Sequence, residues 1–120
     1  MNVEELREYI LQKENVTESF PFNDSTLVFK VKSKIFTLIS LNDEFKKIGV
    51  KCNPELAVKL REKYSFVEPA YHMNKKHWNS VIIKYSDDNF LKEQIDNSYD
   101  LVFSSLPKYL KEEIKQATEK

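Results

Sequence analysis

Leu27-Val28-Phe29-Lys30-Val31-Lys32-Ser33-Lys34-Ile35-Phe36-Thr37-Leu38-Ile39 decides the fold class. Leu27–Val31 and Ile35–Ile39 are rich in β-branched and aromatic residues, which suit a pleated, half-buried surface. Lys32-Ser33 between them reads as a tight hairpin turn, although it lacks the Asn-Gly or Asp-Gly that favours one. Downstream, Asn42-Asp43 makes a second turn and Phe45 to Cys52 a third strand. Gly49 inside that strand marks a bulge or a close packing contact. Upstream, Val3, Leu6, Ile10 and Leu11 fall at helical spacing, so a helix is expected from Asn2 to Lys13, with Asn15 as its stop. Thr17 to Asp24, holding Phe20-Pro21-Phe22, reads as an aromatic bend.

The rest of the chain alternates the two periods. Asn53-Pro54-Glu55 is a helix start: Asn suits the N-cap, Pro the first helical position, Glu the first turn. Leu56, Ala57, Leu60 and Tyr64 then form an apolar stripe. Val67 to Tyr71 and Trp78 to Tyr85 read as two more strands. Asp87, Asp88 and Asn89 are cap candidates for a long helix with Leu91, Ile95, Tyr99, Val102 and Leu106 on one face. Pro107 ends or kinks it, and Leu110 and Ile114 lie one turn apart on a last, mostly solvated helix. This order argues an α+β fold of two layers, an antiparallel sheet packed on one face by helices. Residues 1–120 read as one domain, with 107–120 a solvated C-terminal helical tail.

Composition narrows the function classes. The 120 residues hold 19 Lys and Arg against 19 Asp and Glu. One Cys excludes an internal disulfide and a Cys-based zinc site, and fits a reducing, cytoplasmic setting. One Gly excludes the phosphate-binding loops that need several. No apolar run reaches the roughly 18 residues of a membrane span, so no membrane association is expected, and no signal peptide is visible. The balanced total hides an uneven distribution. Residues 28–86 carry twelve Lys and Arg against five Asp and Glu, whereas residues 1–27 carry two against six and residues 87–120 five against eight. Local fields decide which ligands a surface attracts, so a basic middle points to an anionic partner. Lysines on solvated strand faces and hairpin tips also block edge pairing, which is the alternative account.

Reactive constellations are scarce. His72 and His77 are the two histidines, five residues apart, and no acidic residue lies from Pro69 to Ser86. A zinc site needs three or four ligands with supporting carboxylates, so no metal and no cofactor are expected. Cys52 stands at a strand end before a helix, where a helix N-terminus lowers a thiol pKa, but a lone Cys in an apolar strand packs as a small hydrophobe. Asp87-Asp88 is accounted for as a cap. A non-enzymatic role is expected.

One segment stands out: Glu68-Pro69-Ala70-Tyr71-His72-Met73-Asn74-Lys75-Lys76-His77-Trp78-Asn79-Ser80. Lys75 and Lys76 are point charges suited to phosphate oxygens, and His72 and His77 donate hydrogen bonds and gain charge below neutral pH. Tyr71 and Trp78 offer planar faces, so cationic and aromatic groups are interleaved as nucleic-acid contact requires. A hairpin connection with a Trp anchor and a lysine-rich tip has the same composition.

The string Pro69-Ala70-Tyr71-His72-Met73-Asn74-Lys75-Lys76-His77-Trp78-Asn79 resembles the signature of the MmcQ/YjbR family of small bacterial proteins. So do Phe20-Pro21-Phe22, Leu27-Val28-Phe29-Lys30-Val31, Lys51-Cys52-Asn53-Pro54-Glu55-Leu56-Ala57, Asp96-Asn97-Ser98-Tyr99-Asp100-Leu101-Val102 and Ser105-Leu106-Pro107. Members often have Gly after Pro-Phe and in the hairpin, where this chain has Asn23 and Lys32-Ser33. The resemblance implies a YjbR/CyaY-like fold, related in shape to frataxin-like and secretion-chaperone-like domains. It also implies a DNA-binding role through two β-hairpin wings, with no catalytic residues to carry over. One wing maps to Lys30, Lys32 and Lys34, the other to Asn74, Lys75, Lys76 and His77. The expected contacts to duplex DNA are Lys32, Lys34, His72, Asn74, Lys75, Lys76, His77 and Trp78, with Tyr71 and Trp78 supporting the loop or stacking. A monomer is expected. Two alternatives stay open: an adaptor that binds a protein partner in a groove on the sheet, and a small-anion pocket around Tyr71, His72, Lys76 and Trp78.

Overall fold

The computed structural model describes residues 1–42, 44–70 and 73–119, with side chains through Ile114. The hairpin supplies two inner strands of a six-stranded antiparallel sheet: β1 Val16–Ser19, β2 Thr26–Val31, β3 Lys34–Ser40, β4 Lys47–Lys51, β5 Val67–Pro69 and β6 Trp78–Ile82. The spatial order is β1-β2-β3-β4-β6-β5. The α+β architecture expected from the element order is therefore the one observed. β1 was not expected. Its residues Val-Thr-Glu-Ser alternate half-buried and exposed, and its pairing to β2 outweighs its weak local pattern. Lys32 and Ser33 both adopt positive φ, 48° and 71°, the twist that joins adjacent strands and that glycine would adopt more readily.

Four helices are described: α1 Val3–Leu11, α2 Pro54–Lys63, α3 Asp88–Ser104 and α4 Lys108–Glu119. Asn2, Asn53 and Asp87 cap the first three, accepting backbone N–H bonds through their side chains. The end of the expected Trp78–Tyr85 strand is a short 3-10 turn, Ile83–Tyr85. In α2, Ala57 is buried but Leu56 stays 39% exposed, so the apolar stripe is narrower than its spacing predicts. In the first part of α4, Lys108, Tyr109, Glu112 and Glu113 face solvent, while Ile114 is buried in the core and anchors the helix.

The strand register divides the sheet into two faces. Leu27, Phe29, Ile39, Ile48, Val81 and Val67 share one face across five strands. They pack with Leu6 and Ile10 of α1, Leu91, Ile95 and Val102 of α3, and Ile114 of α4. A bulge in β3 opposite Phe29 and Lys30 brings Phe36 into this layer, edge-on to Tyr99 at 5.3 Å. Ser98 of α3 repairs the interrupted ladder. Its hydroxyl donates to the Phe36 carbonyl and accepts from the Lys51 N–H at 2.8 Å. α1, α3 and α4 send buried side chains to this layer, and α2 with its C-cap packs the half-buried Leu60 and Tyr64 against it, which leaves the opposite face without a helix among those described.

Candidate nucleic-acid interface

The helix-free face has a different composition. By register it presents Thr26, Val28 and Lys30 of β2, Leu38 and Ser40 of β3, Lys47, Gly49 and Lys51 of β4, Glu68 of β5, and Trp78 and Ser80 of β6. Three lysines thus share it with one carboxylate. Glu68 binds Lys47 Nζ at 2.6 Å, which compensates that lysine. A Cβ on Gly49 would come 2.6 Å from Leu38 Cδ1, so the glycine leaves room for Leu38 to lie flat across β4.

Antiparallel pairing puts two lysine-bearing connections at the same end of the sheet. The Lys32-Ser33 turn closes β2 and β3 there. β4 ends at Lys51 opposite Trp78, where β6 begins, so residues 70–77 cross between β5 and β6 at that end as well. Neighbouring strands lie about 4.8 Å apart, so three strand spacings separate the roots of the two connections laterally by about 14 Å. The 70–77 connection is built from local hydrogen bonds. Met73 N donates to Ala70 O, His77 N to Asn74 O, and Lys76 N to Asn74 Oδ1 at 3.0 Å. Cys52 N in turn donates to His77 O at 2.7 Å, which ties the loop to the end of β4.

Lys34, Asn74, Lys75 and Lys76 are exposed, and His77 is half-buried. Lys32 is half-buried, with Nζ 3.2 Å from Glu113 of α4, so its charge is partly met. Such a solvent-facing pair is worth no more than about 1 kcal/mol and does not prevent exchange for a stronger anion. Trp78 is only 7% exposed, so its ring braces the connection from within and has no face open for stacking. His72 and Tyr71 lie outside the described residues, so the small-anion pocket is not assembled among those described. Sequence reading missed Lys51 and Lys47 as members of this surface. Strand alternation gives each a side, but only the register shows that it is the side of Lys30.

The reactive groups elsewhere are quiet. Cys52 is buried, and burial pushes its thiol pKa up against the smaller opposing pull of Arg61, so the helix start beside it does not activate it. Among the described residues, no three His, Cys, Asp or Glu side chains gather as metal ligands. No described helix is long and apolar enough to cross a membrane.

A second feature lies on the same face. Phe22 and Asn23, from the turn before β2, and Met73, from the 70–77 connection, meet over Thr26, Leu38 and Ser40 and enclose a cleft of about 320 Å³. Phe22 is 66% exposed.

Comparison with known proteins fits this architecture. The YjbR family pattern matches residues 11–101. The chain belongs to the YjbR family. It is 30% identical over 108 residues to YjbR of Escherichia coli K12, covering 89% of this chain and 92% of that one. It is 36% identical over 90 residues to YbdF of Escherichia coli O157:H7, covering 74% of each. Among solved structures, protein DR2400 of Deinococcus radiodurans superposes with a TM-score of 0.88 at 32% identity, covering 95% of this chain and 88% of that one. A Pseudomonas syringae protein superposes with a TM-score of 0.74 at 27% identity, covering 84% of this chain and 98% of that one. This YjbR-family chain closes its β2–β3 hairpin without a glycine, because Lys32 and Ser33 take up the left-handed backbone themselves.

Proposed function

We propose that this YjbR-family protein is a non-enzymatic DNA-contacting module that grips phosphates with its two lysine-bearing connections. The observation that carries the reading is their common position. Lys32 and Lys34 on one side, and Lys75 and Lys76 on the other, leave the same end of one rigid sheet, with Lys30 and Lys51 on the helix-free face behind them. Their roots on the sheet are about 14 Å apart laterally, close to the roughly 12 Å width of a major groove, which supports contacts to phosphates on either side of it. Lysines act here as point charges, which position a protein on a duplex without reading its sequence. Of the side chains on the two connections, Asn74 is the one suited to base-edge hydrogen bonding.

Titration of a fluorescent duplex at two salt concentrations tests this. With about four to six phosphate contacts, affinity is expected to fall by roughly two to three orders of magnitude between 50 and 200 mM salt. Lys75→Ala/Lys76→Ala is expected to weaken binding on every duplex sequence and to reduce the salt slope by about two. Salt-independent binding, or a double variant that binds as the parent does, overturns the proposal.

A further inference from the structure

The cleft on the helix-free face has no role in a grip made of lysines alone, yet one of its walls belongs to a lysine loop. Met73 lines the cleft, and Lys75 and Lys76 follow two and three residues later on the exposed part of the same connection. Adjacent Cα atoms are 3.8 Å apart, so the Cα atoms of Met73 and Lys75 are at most about 7.6 Å apart, a backbone separation that one nucleotide can bridge. We infer that the cleft takes an unpaired nucleobase of the nucleic acid whose phosphates the Lys75-Lys76 tip holds; this rests on the DNA-contacting reading above.

The lining fits a base and not a phosphate. Among the described residues it contains no charged side chain: Phe22, Leu38 and Met73 are apolar, while Asn23, Thr26 and Ser40 carry an amide and two hydroxyls. A nucleobase is a flat, uncharged ring with hydrogen-bonding groups on its edge, and its charge lies outside on the backbone. That division matches an uncharged cleft beside exposed lysines. The Phe22 ring stands largely in solvent, where it supplies an aromatic face of the kind on which bases stack irrespective of sequence. The volume of about 320 Å³ is at the lower end of ordinary ligand pockets, which suits one nucleotide and not a longer segment. Asn23 already holds its turn, its Oδ1 accepting from Ser25 N at 2.9 Å and Ser25 Oγ at 3.0 Å. The wall is therefore ordered before any ligand arrives.

The geometry predicts a preference for DNA in which one base is free of its partner. Anisotropy titrations compare three duplexes with the same number of base pairs: fully paired, with one bulged adenine, and with an abasic residue at the bulge, the last two being equal in charge. Each is measured with the parent protein, Phe22→Ala and Lys75→Ala/Lys76→Ala. Because the Phe22 ring is mostly exposed, its removal leaves the folded domain intact, which far-UV circular dichroism verifies. The bulged adenine is expected to bind about tenfold tighter than the paired duplex, in keeping with stacking of a single base. The abasic duplex and Phe22→Ala are each expected to lose that gain while retaining paired-duplex affinity. Equal affinity for all three duplexes, with the lysine variant weak on each, overturns the cleft inference and leaves the lysine grip standing. A tenfold gain that the abasic bulge also shows overturns it too, because bending and not the base is then read. Absence of binding to every duplex overturns both readings together.

Discussion

The two faces of the sheet are built from the same strands but by different rules. One face is closed by apolar side chains from all four helices, and its largest members, including Phe29, Phe36 and Ile95, have no exposure. The other has no helix, three lysines, one carboxylate, and two loops that meet over Leu38. Most of the buried apolar side chains lie on the first face, although Val28 and Trp78 are buried on the second, so the second is freer to carry charge and exposed aromatics. A phenylalanine on each shows the contrast: Phe29 is fully buried and Phe22 is 66% exposed.

The strongest way to break that contrast is to remove both rings. Phe29→Ala is expected to destabilise the fold by about 3–5 kcal/mol, because it deletes a packed ring and leaves a cavity. Phe22→Ala is expected to change stability by less than about 0.5 kcal/mol, as surface substitutions usually do. Urea unfolding monitored by Trp78 fluorescence compares them. Equal losses would mean that the helix-free face is as closely packed as the helical one.

A smaller effect tests how the helical layer is fastened to the sheet. Ser98→Ala removes the hydroxyl that serves the Phe36 carbonyl and the Lys51 N–H. An unsatisfied buried backbone group costs about 1–3 kcal/mol, so a loss of about 2 kcal/mol is expected. It should be accompanied by faster amide exchange at Lys51. A neutral Ser98→Ala would show that the bulge needs no support from α3.

The smallest effect is confined to alkaline pH. Tyr9 on α1 donates to Asp96 Oδ1 on α3 at 2.6 Å, and Lys13 Nζ reaches the same oxygen at 2.6 Å. Burial first, and then this hydrogen bond to Asp96, pushes the Tyr9 pKa from 10.0 up to about 12. A raised folded-state pKa favours the protonated phenol. The stability it contributes is complete below pH 10 and is lost as pH rises from 10 to about 12. Urea midpoints measured across that window should fall less steeply in Tyr9→Phe than in the parent. Burial raises the Tyr99 pKa in the same direction, so some slope should remain. Identical slopes would remove Tyr9 from the alkaline transition.

Much of the fold was legible locally. The β2–β3 hairpin, the Asn53-Pro54-Glu55 helix start and the Leu91-to-Val102 part of the long-helix stripe each carry a short-range pattern that the structure retains, whereas α3 ends at Ser104, before Leu106. β1 was not legible, because an edge strand with one apolar residue borrows its order from its neighbour. The interface was legible in part. The lysines at 32, 34, 75 and 76 are visible as charges in a basic middle, but Trp78 reads equally as a stacking platform or a buried brace until its environment is known.

By itself, the order of residues determined the element types, the basic middle and family membership, because periodicity, caps and motif strings act over a few neighbours. Tertiary structure alone decided that two connections some forty residues apart share one end of the sheet, and that Phe22 and Met73 meet over Leu38. The physical reason is register. Each strand alternates its side chains between two sides, but which side faces helices and which faces solvent is set only when six strands pair and one apolar layer closes.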